Sequence, residues 1–108
     1  MGVTRTYIHT ERINKIANLA KAFAHPARIA ILKCIIEAKG CIVNDLVGVI
    51  GLSQSTISQH LKELKSIGII KGEIEGPKMC YCINDDVWRE AQKEFSKLFS
   101  SHTSSGCC

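Results

Sequence analysis

Apolar residues recur with helical spacing along the first two thirds of the chain, then with alternating spacing, then with helical spacing again. Ile13, Ile16, Ala17, Ala20 and Phe23 fall on one stripe, which predicts a first helix from about Glu11 to Phe23. "AHPAR" interrupts it, and Pro26 suits the first turn of a second helix whose buried face is Ile31, Leu32, Ile35 and Ile36. That helix is expected to stop near "EAKGC", with Gly40 just past its end. Ile42, Leu46, Val49 and Ile50 predict a short third helix, broken by "GLS". Ser53 can cap the fourth helix, about Gln54 to Ser66, which turns Ile57, Leu61 and Leu64 inward. "IIKGEIE" and "MCYCI" then flank "GPK" and read as a β-hairpin. "DDVWREAQKEFSKLF", capped by Asn84 or Asp85, supplies a last helix with Val87, Ala91, Phe95 and Leu98 on one side.

This order, α1-α2-α3-α4-β1-β2-α5, is a mainly helical class with a β-hairpin wing. Two helices joined by a tight Gly-containing turn and followed by a hairpin make a winged helix-turn-helix, whose second helix enters the major groove of B-DNA. The chain divides into an N-terminal arm (1–10), the winged domain (11–99) and a Ser-rich tail (100–108) ending in Cys-Cys.

Length and charge add little to this picture and exclude some alternatives. With 108 residues the chain is one domain with a small core, so association would help its stability. The longest apolar run, "IAILKCII", is too short to cross a bilayer, and no export signal is visible, so a cytoplasmic protein is expected. Residues 1–36 hold six basic residues against the single acid Glu11, while the remainder balances eight against nine. That bias is compatible with nucleic acid but is weak by itself. No nucleophile, base and orienter set is present, nor a Gly-rich phosphate loop, so an enzyme is not expected. Asp85 and Asp86 read as a helix start rather than a carboxylate dyad, and His25 before Pro26 reads as structural.

Removing the inward residues of the fourth helix leaves Gln54, Ser55, Thr56, Ser58, Gln59, His60 and Lys62 facing outward. Gln pairs with adenine, Ser and Thr bond bases or phosphates, and the helix start that Ser53 caps attracts phosphate. A plain solvent face would be an odd use of Ser and Thr, which are poor helix formers.

"HPARIAIL" (25–32), "DLVGVIGLSQSTISQHLKELKSIGII" (45–70) and "GPKMCYCI" (76–83) resemble the ArsR/SmtB family of metal-responsive repressors, over roughly residues 11–99. The resemblance implies a symmetric homodimer built by the first and last helices, bound to an inverted-repeat double-stranded DNA operator and released by an inducer. It makes the exposed residues of helix 54–66 the base readers, and Lys71 and Lys78 the phosphate or minor-groove contacts. Apolar surface left on the terminal helices (Ile8, Phe23, Trp88, Phe95, Phe99) agrees with such a dimer.

The inducer site departs from the family's best-known patterns. Where the arsenic-sensing type carries two cysteines, this chain has Ile42 and Asn44, with Cys41 one position early. Trp88 replaces an early zinc-binding histidine of the last helix. Cys34 lies one residue from the sulfide-sensing position, without a partner cysteine in the last helix, and reads as core. Six cysteines without an export signal are not a disulfide framework. Cys107 and Cys108 are adjacent; neighbouring Cα atoms sit about 3.8 Å apart, too close for an unstrained disulfide. As thiolates they can grip one soft ion such as trivalent arsenic or antimony, with a third sulfur from Cys41, Cys80 or Cys82 and His102 as an accessory. Cys80 and Cys82 share one strand face and either chelate or simply sit on the sheet surface. No cofactor is needed for folding. Rival inputs are thiol oxidation or persulfidation, or no small ligand; a more remote rival is a protein-interaction module without DNA.

Overall fold

The computed structural model describes residues 10–43, 46–104 and 106. Thr10 caps α1 (Glu11–Ala20), its hydroxyl accepting from the Ile13 amide, and a 3₁₀ turn over Lys21–Phe23 continues the path. α2 (Pro26–Glu37) starts on His25, whose Nδ1 accepts from the Ala27 amide at 3.0 Å. α3 (Val47–Ile50) is a single turn, and Gly51 at φ 82° supplies the left-handed residue that reverses the chain into α4 (Gln54–Ile67). β1 (Ile70–Glu73) and β2 (Cys80–Ile83) pair antiparallel, with Ile70 opposite Ile83 and Glu73 opposite Cys80. α5 (Asp85–Ser100) begins on Asn84, which accepts from the Val87 amide. The architecture is a winged helix-turn-helix.

The core joins the 3₁₀ turn, α2, α4 and the sheet through Ala22, Ile31, Ile35, Ile57, Leu64, Ile70 and Tyr81, all fully buried. Ile57, Leu61 and Leu64 anchor α4 to it as their spacing predicts; truncating any one to Ala would cost about 2–5 kcal/mol. α1 lies against α5, with Arg12 Nε donating to Glu94 at 2.9 Å and Lys15 paired to Glu90. Phe23 meets Trp88 and Phe95 edge-on at 6.0 and 6.1 Å, closing the other side of that packing.

Several expectations change. α1 buries Leu19 rather than Ile13, which is 48% exposed. Ile36 is likewise half-exposed at the end of α2, and Leu98 on α5. The left-handed residue after α2 is Lys39, at φ 53°, one position before Gly40. Ile42 is not helical: it forms a β-bridge to Tyr81, so the helix shortens to Val47–Ile50 and Val49 is left exposed. No described helix is long and apolar enough to cross a membrane.

Candidate nucleic-acid interface and thiol cluster

The start of α4 is organised by Ser53. Its hydroxyl accepts from the Thr56 amide at 3.3 Å, donates to the Thr56 hydroxyl at 2.9 Å and lies 3.2 Å from that of Ser55. Gln54 Nε2 donates to the Ser58 hydroxyl at 3.1 Å. Gln54, Ser55, Thr56, Gln59 and Lys62 are exposed, Ser58 half-buried. The first turn carries no acidic residue, so the positive end of the helix faces solvent uncompensated. A polar, donor-rich strip thus sits on a helix whose opposite face is fixed in the core.

His60 is placed differently from its neighbours. Arg28 Nε donates to its Nδ1 at 3.2 Å, and its ring lies 4.6 Å from that of His25. Burial first, then the positive neighbours His25 and Arg28, push its pKa below the ordinary histidine value. It is therefore a neutral acceptor seated against α2. Arg28 also donates to the Lys21 carbonyl at 2.6 Å, so one guanidinium ties the 3₁₀ turn, α2 and α4 together. The role of Arg28 was not legible in the sequence beyond its charge; the available signal was a cation between Ala27 and Ile29 in a largely apolar helix.

On the wing, Lys78 is exposed in the loop between the strands, and Lys62 of α4 reaches Glu75 of that loop at 3.9 Å. Lys71, also exposed, stands opposite Cys82 in the strand register. In an antiparallel pair, opposed residues project to the same face, so Lys71 shares a face with Cys80 and Cys82.

The thiols assemble through a contact between distant parts of the chain. Ile42 N donates to the Tyr81 carbonyl at 2.7 Å, and Tyr81 N donates to the Ile42 carbonyl at 3.0 Å. Cys41, next to Ile42, falls opposite Cys82 in the register that this bridge sets. The neighbouring Cys41 thiol, followed by burial, holds both wing thiols above the usual cysteine range, while Lys71 pulls Cys82 the other way. Cys41, Cys82, Lys71, Asp85 and Trp88 line an open cleft of about 470 Å³. Among the described residues no three of His, Cys, Asp and Glu already stand in a metal-holding arrangement. Cys34 is half-buried and packs on the core, as its apolar surroundings suggest. Cys107 and Cys108 lie outside the described residues. His102 is exposed.

Residues 25–71 match the bacterial regulatory protein arsR family. An uncharacterized HTH-type transcriptional regulator of Methanocaldococcus jannaschii is 38% identical over 88 residues, which are 82% of this chain and 99% of that protein. The chain belongs to the ArsR family. It is similar to the HTH-type transcriptional repressor SmtB of Mycobacterium tuberculosis, 37% identical over 69% of this chain and 55% of SmtB, so it spans little more than half that protein's length. It is also similar to a cadmium resistance transcriptional regulatory protein CadC homolog of Staphylococcus aureus, 30% identical over 75% of this chain and 77% of that one. The crystal structure of NolR from Sinorhizobium fredii superposes with a TM-score of 0.62 at 26% identity, covering 92% of this chain and 97% of NolR. These ArsR-family relatives are transcriptional regulators, so the chain is a DNA-binding regulator rather than an enzyme.

Proposed function

We propose that this ArsR-family protein represses transcription as a symmetric homodimer on an inverted-repeat operator, and that a soft metal or metalloid bound through cysteine thiolates releases it. The observation that carries the DNA reading is the start of α4: an acid-free first turn and a strip of exposed Gln, Ser and Thr above a core-anchored face. Gln54 and Gln59 offer paired donor and acceptor groups to base edges; Ser53, Ser55, Thr56 and Ser58 suit phosphates and bases; Lys62, Lys71 and Lys78 supply charge. His60 acts one step back, holding α4 against α2 through Arg28.

The dimer reading rests on apolar surface. Ile13 on α1 and Leu98 and Phe99 on α5 are 48%, 51% and 72% exposed, on the two helices that pack together. A small domain gains by covering such a surface with a second copy. For the inducer, support comes from the thiols gathered beside the wing and from the similarity to a protein named for cadmium resistance. In terms of mechanism, bound inducer stabilises a conformation whose two α4 helices no longer match the half-site spacing.

The test is fluorescence anisotropy of the reduced full chain on a duplex from upstream of its own gene, titrated with sodium arsenite. Release at stoichiometric arsenite is expected. A complex that arsenite never disturbs, but a mild oxidant does, would replace the metalloid by thiol oxidation as the input.

A further inference from the structure

The cleft between the end of α2, the wing and the start of α5 is large enough for a small molecule. Its volume of about 470 Å³ falls within the range of roughly 300–1,000 Å³ that ligand sites occupy. Three kinds of side chain meet in it. Ile35, Ile36, Ile83 and Trp88 supply apolar walls, and Ile36 is left 49% exposed. Lys39 and Lys71 supply two ammonium groups from separate segments, the end of α2 and β1. Asp85 supplies one carboxylate at the first position of α5.

These charges do not cancel within the chain. Lys15 and Lys62 reach acidic partners, whereas among the described residues Lys39 and Lys71 have no ion pair. Asp85, with Asp86, lies in the first turn of α5 and meets the positive end of that helix. The Cys82 thiol, held above the usual cysteine range, stays neutral. Two lysines against Asp85 leave a surplus of one positive charge beside an apolar wall. Lys39 is also strained: it holds φ 53°, a left-handed conformation that a side chain makes costly. Strained residues of this kind cluster at binding sites.

We propose that this cleft binds an aromatic monocarboxylate, its ring against Trp88 and Ile83 and its carboxylate between the ammonium groups of Lys39 and Lys71.

The chemistry selects this class. One surplus charge matches a monoanion. A phosphate dianion is favoured by an Arg fork or an uncompensated helix start, and the start of α5 is already met by its own acids. A flat ring suits an indole that edge-on contact with Phe23 at 6.0 Å fixes in place. A second copy of the chain is not the occupant. Leu98 and Phe99, the exposed apolar residues of α5, begin ten residues beyond Trp88, about 15 Å along the helix. No bond to sulfur is made, so the site stands apart from the soft-ligand reading above.

The experiment uses the reduced full chain without metal, labelled with ¹⁵N so that Trp88, the single tryptophan, gives one indole N–H signal. Cinnamate is the probe, cinnamamide its uncharged isostere and acetate its ringless counterpart. Cinnamate should move the Trp88 signal saturably, with half-saturation below about 1 mM, the affinity expected of a ligand of this size. Cinnamamide should bind at least about 5-fold more weakly, and acetate should leave the signal in place. Lys39→Gly and Lys71→Gln should each weaken cinnamate by about 5-fold or more and leave cinnamamide unchanged, a pattern misfolding does not produce. Lys39→Gly is the sharper variant because it relieves the strained backbone: cinnamate binding should weaken while the thermal midpoint holds or rises. A Trp88 signal that cinnamate and acetate move alike overturns the site. Equal affinity for cinnamate and cinnamamide, or for the wild type and both lysine variants, overturns the carboxylate assignment and the proposal with it. Neither DNA nor arsenite enters the titration, so failure here leaves the repressor reading standing.

Discussion

Arg28 of α2 donates its Nε hydrogen to Nδ1 of His60 at 3.2 Å, a bond that exists only while His60 is neutral. Burial, His25 and Arg28 each disfavour the imidazolium, so the native pKa lies below the ordinary 6.5 and the unfolded chain binds the proton more readily. Stability is accordingly lost as pH falls through about 6.5, and the loss levels off below the native value. Thermal midpoints measured from pH 7.5 down to 5 should fall for the wild type and fall less for His60→Gln. Equal falls in both proteins would remove His60 from the account.

Gly72 sits at φ 107° on β1 opposite Tyr81, and a Cβ there would lie 2.2 Å from the Cys80 carbonyl oxygen. Because the neighbour is backbone, the hairpin itself must shift. Gly72→Ala should destabilise by at least about 1–3 kcal/mol, a drop of roughly 4–8 °C in Tm for each kcal/mol. An unchanged midpoint would contradict the strand geometry.

Lys39 holds the left-handed conformation that ends α2, at φ 53°, where a side chain costs about 1–2 kcal/mol. Lys39→Gly relieves that cost and adds unfolded-state entropy, for a net gain of about 0.5–1 kcal/mol in chemical unfolding. A lower midpoint would show that the lysine makes a compensating contact.

Leu98 and Phe99 are exposed, so replacing both by Glu should leave the chain folded while converting a dimer to a monomer in sedimentation. A wild type that sediments as a monomer at tens of micromolar would contradict the dimer outright.

The helix-turn-helix was legible because its signals are local. Ile57, Leu61 and Leu64 repeat within one helix, and Gly51 and Ser53, two positions apart, mark its start. What was not legible depends on partners far along the chain. Ile42 fits a helical stripe with Leu46, yet pairs with Tyr81, and no local pattern announces a bridge across that separation. The same contact sets Cys41 beside the wing thiols, which the sequence could name as candidate ligands without bringing them together. His60 looks outward when the inward residues are subtracted, but Arg28, a partner on another helix, claims it. Ile13 shows the converse: periodicity marks an apolar stripe without saying whether this chain covers it.

The exposed start of α4 is the element proposed to read DNA. The direct measurement is the anisotropy of the reduced full chain on a labelled duplex from upstream of its own gene, against a scrambled duplex, for wild type and for Gln54→Ala/Gln59→Ala. Both glutamines are exposed, so the variant should keep its thermal midpoint. The wild type should prefer its own duplex, and the variant should lose about 1–3 kcal/mol of that preference per base contact removed, with non-specific, salt-sensitive binding retained. A wild type that binds both duplexes alike, or a variant that discriminates as well as the wild type, would contradict the account.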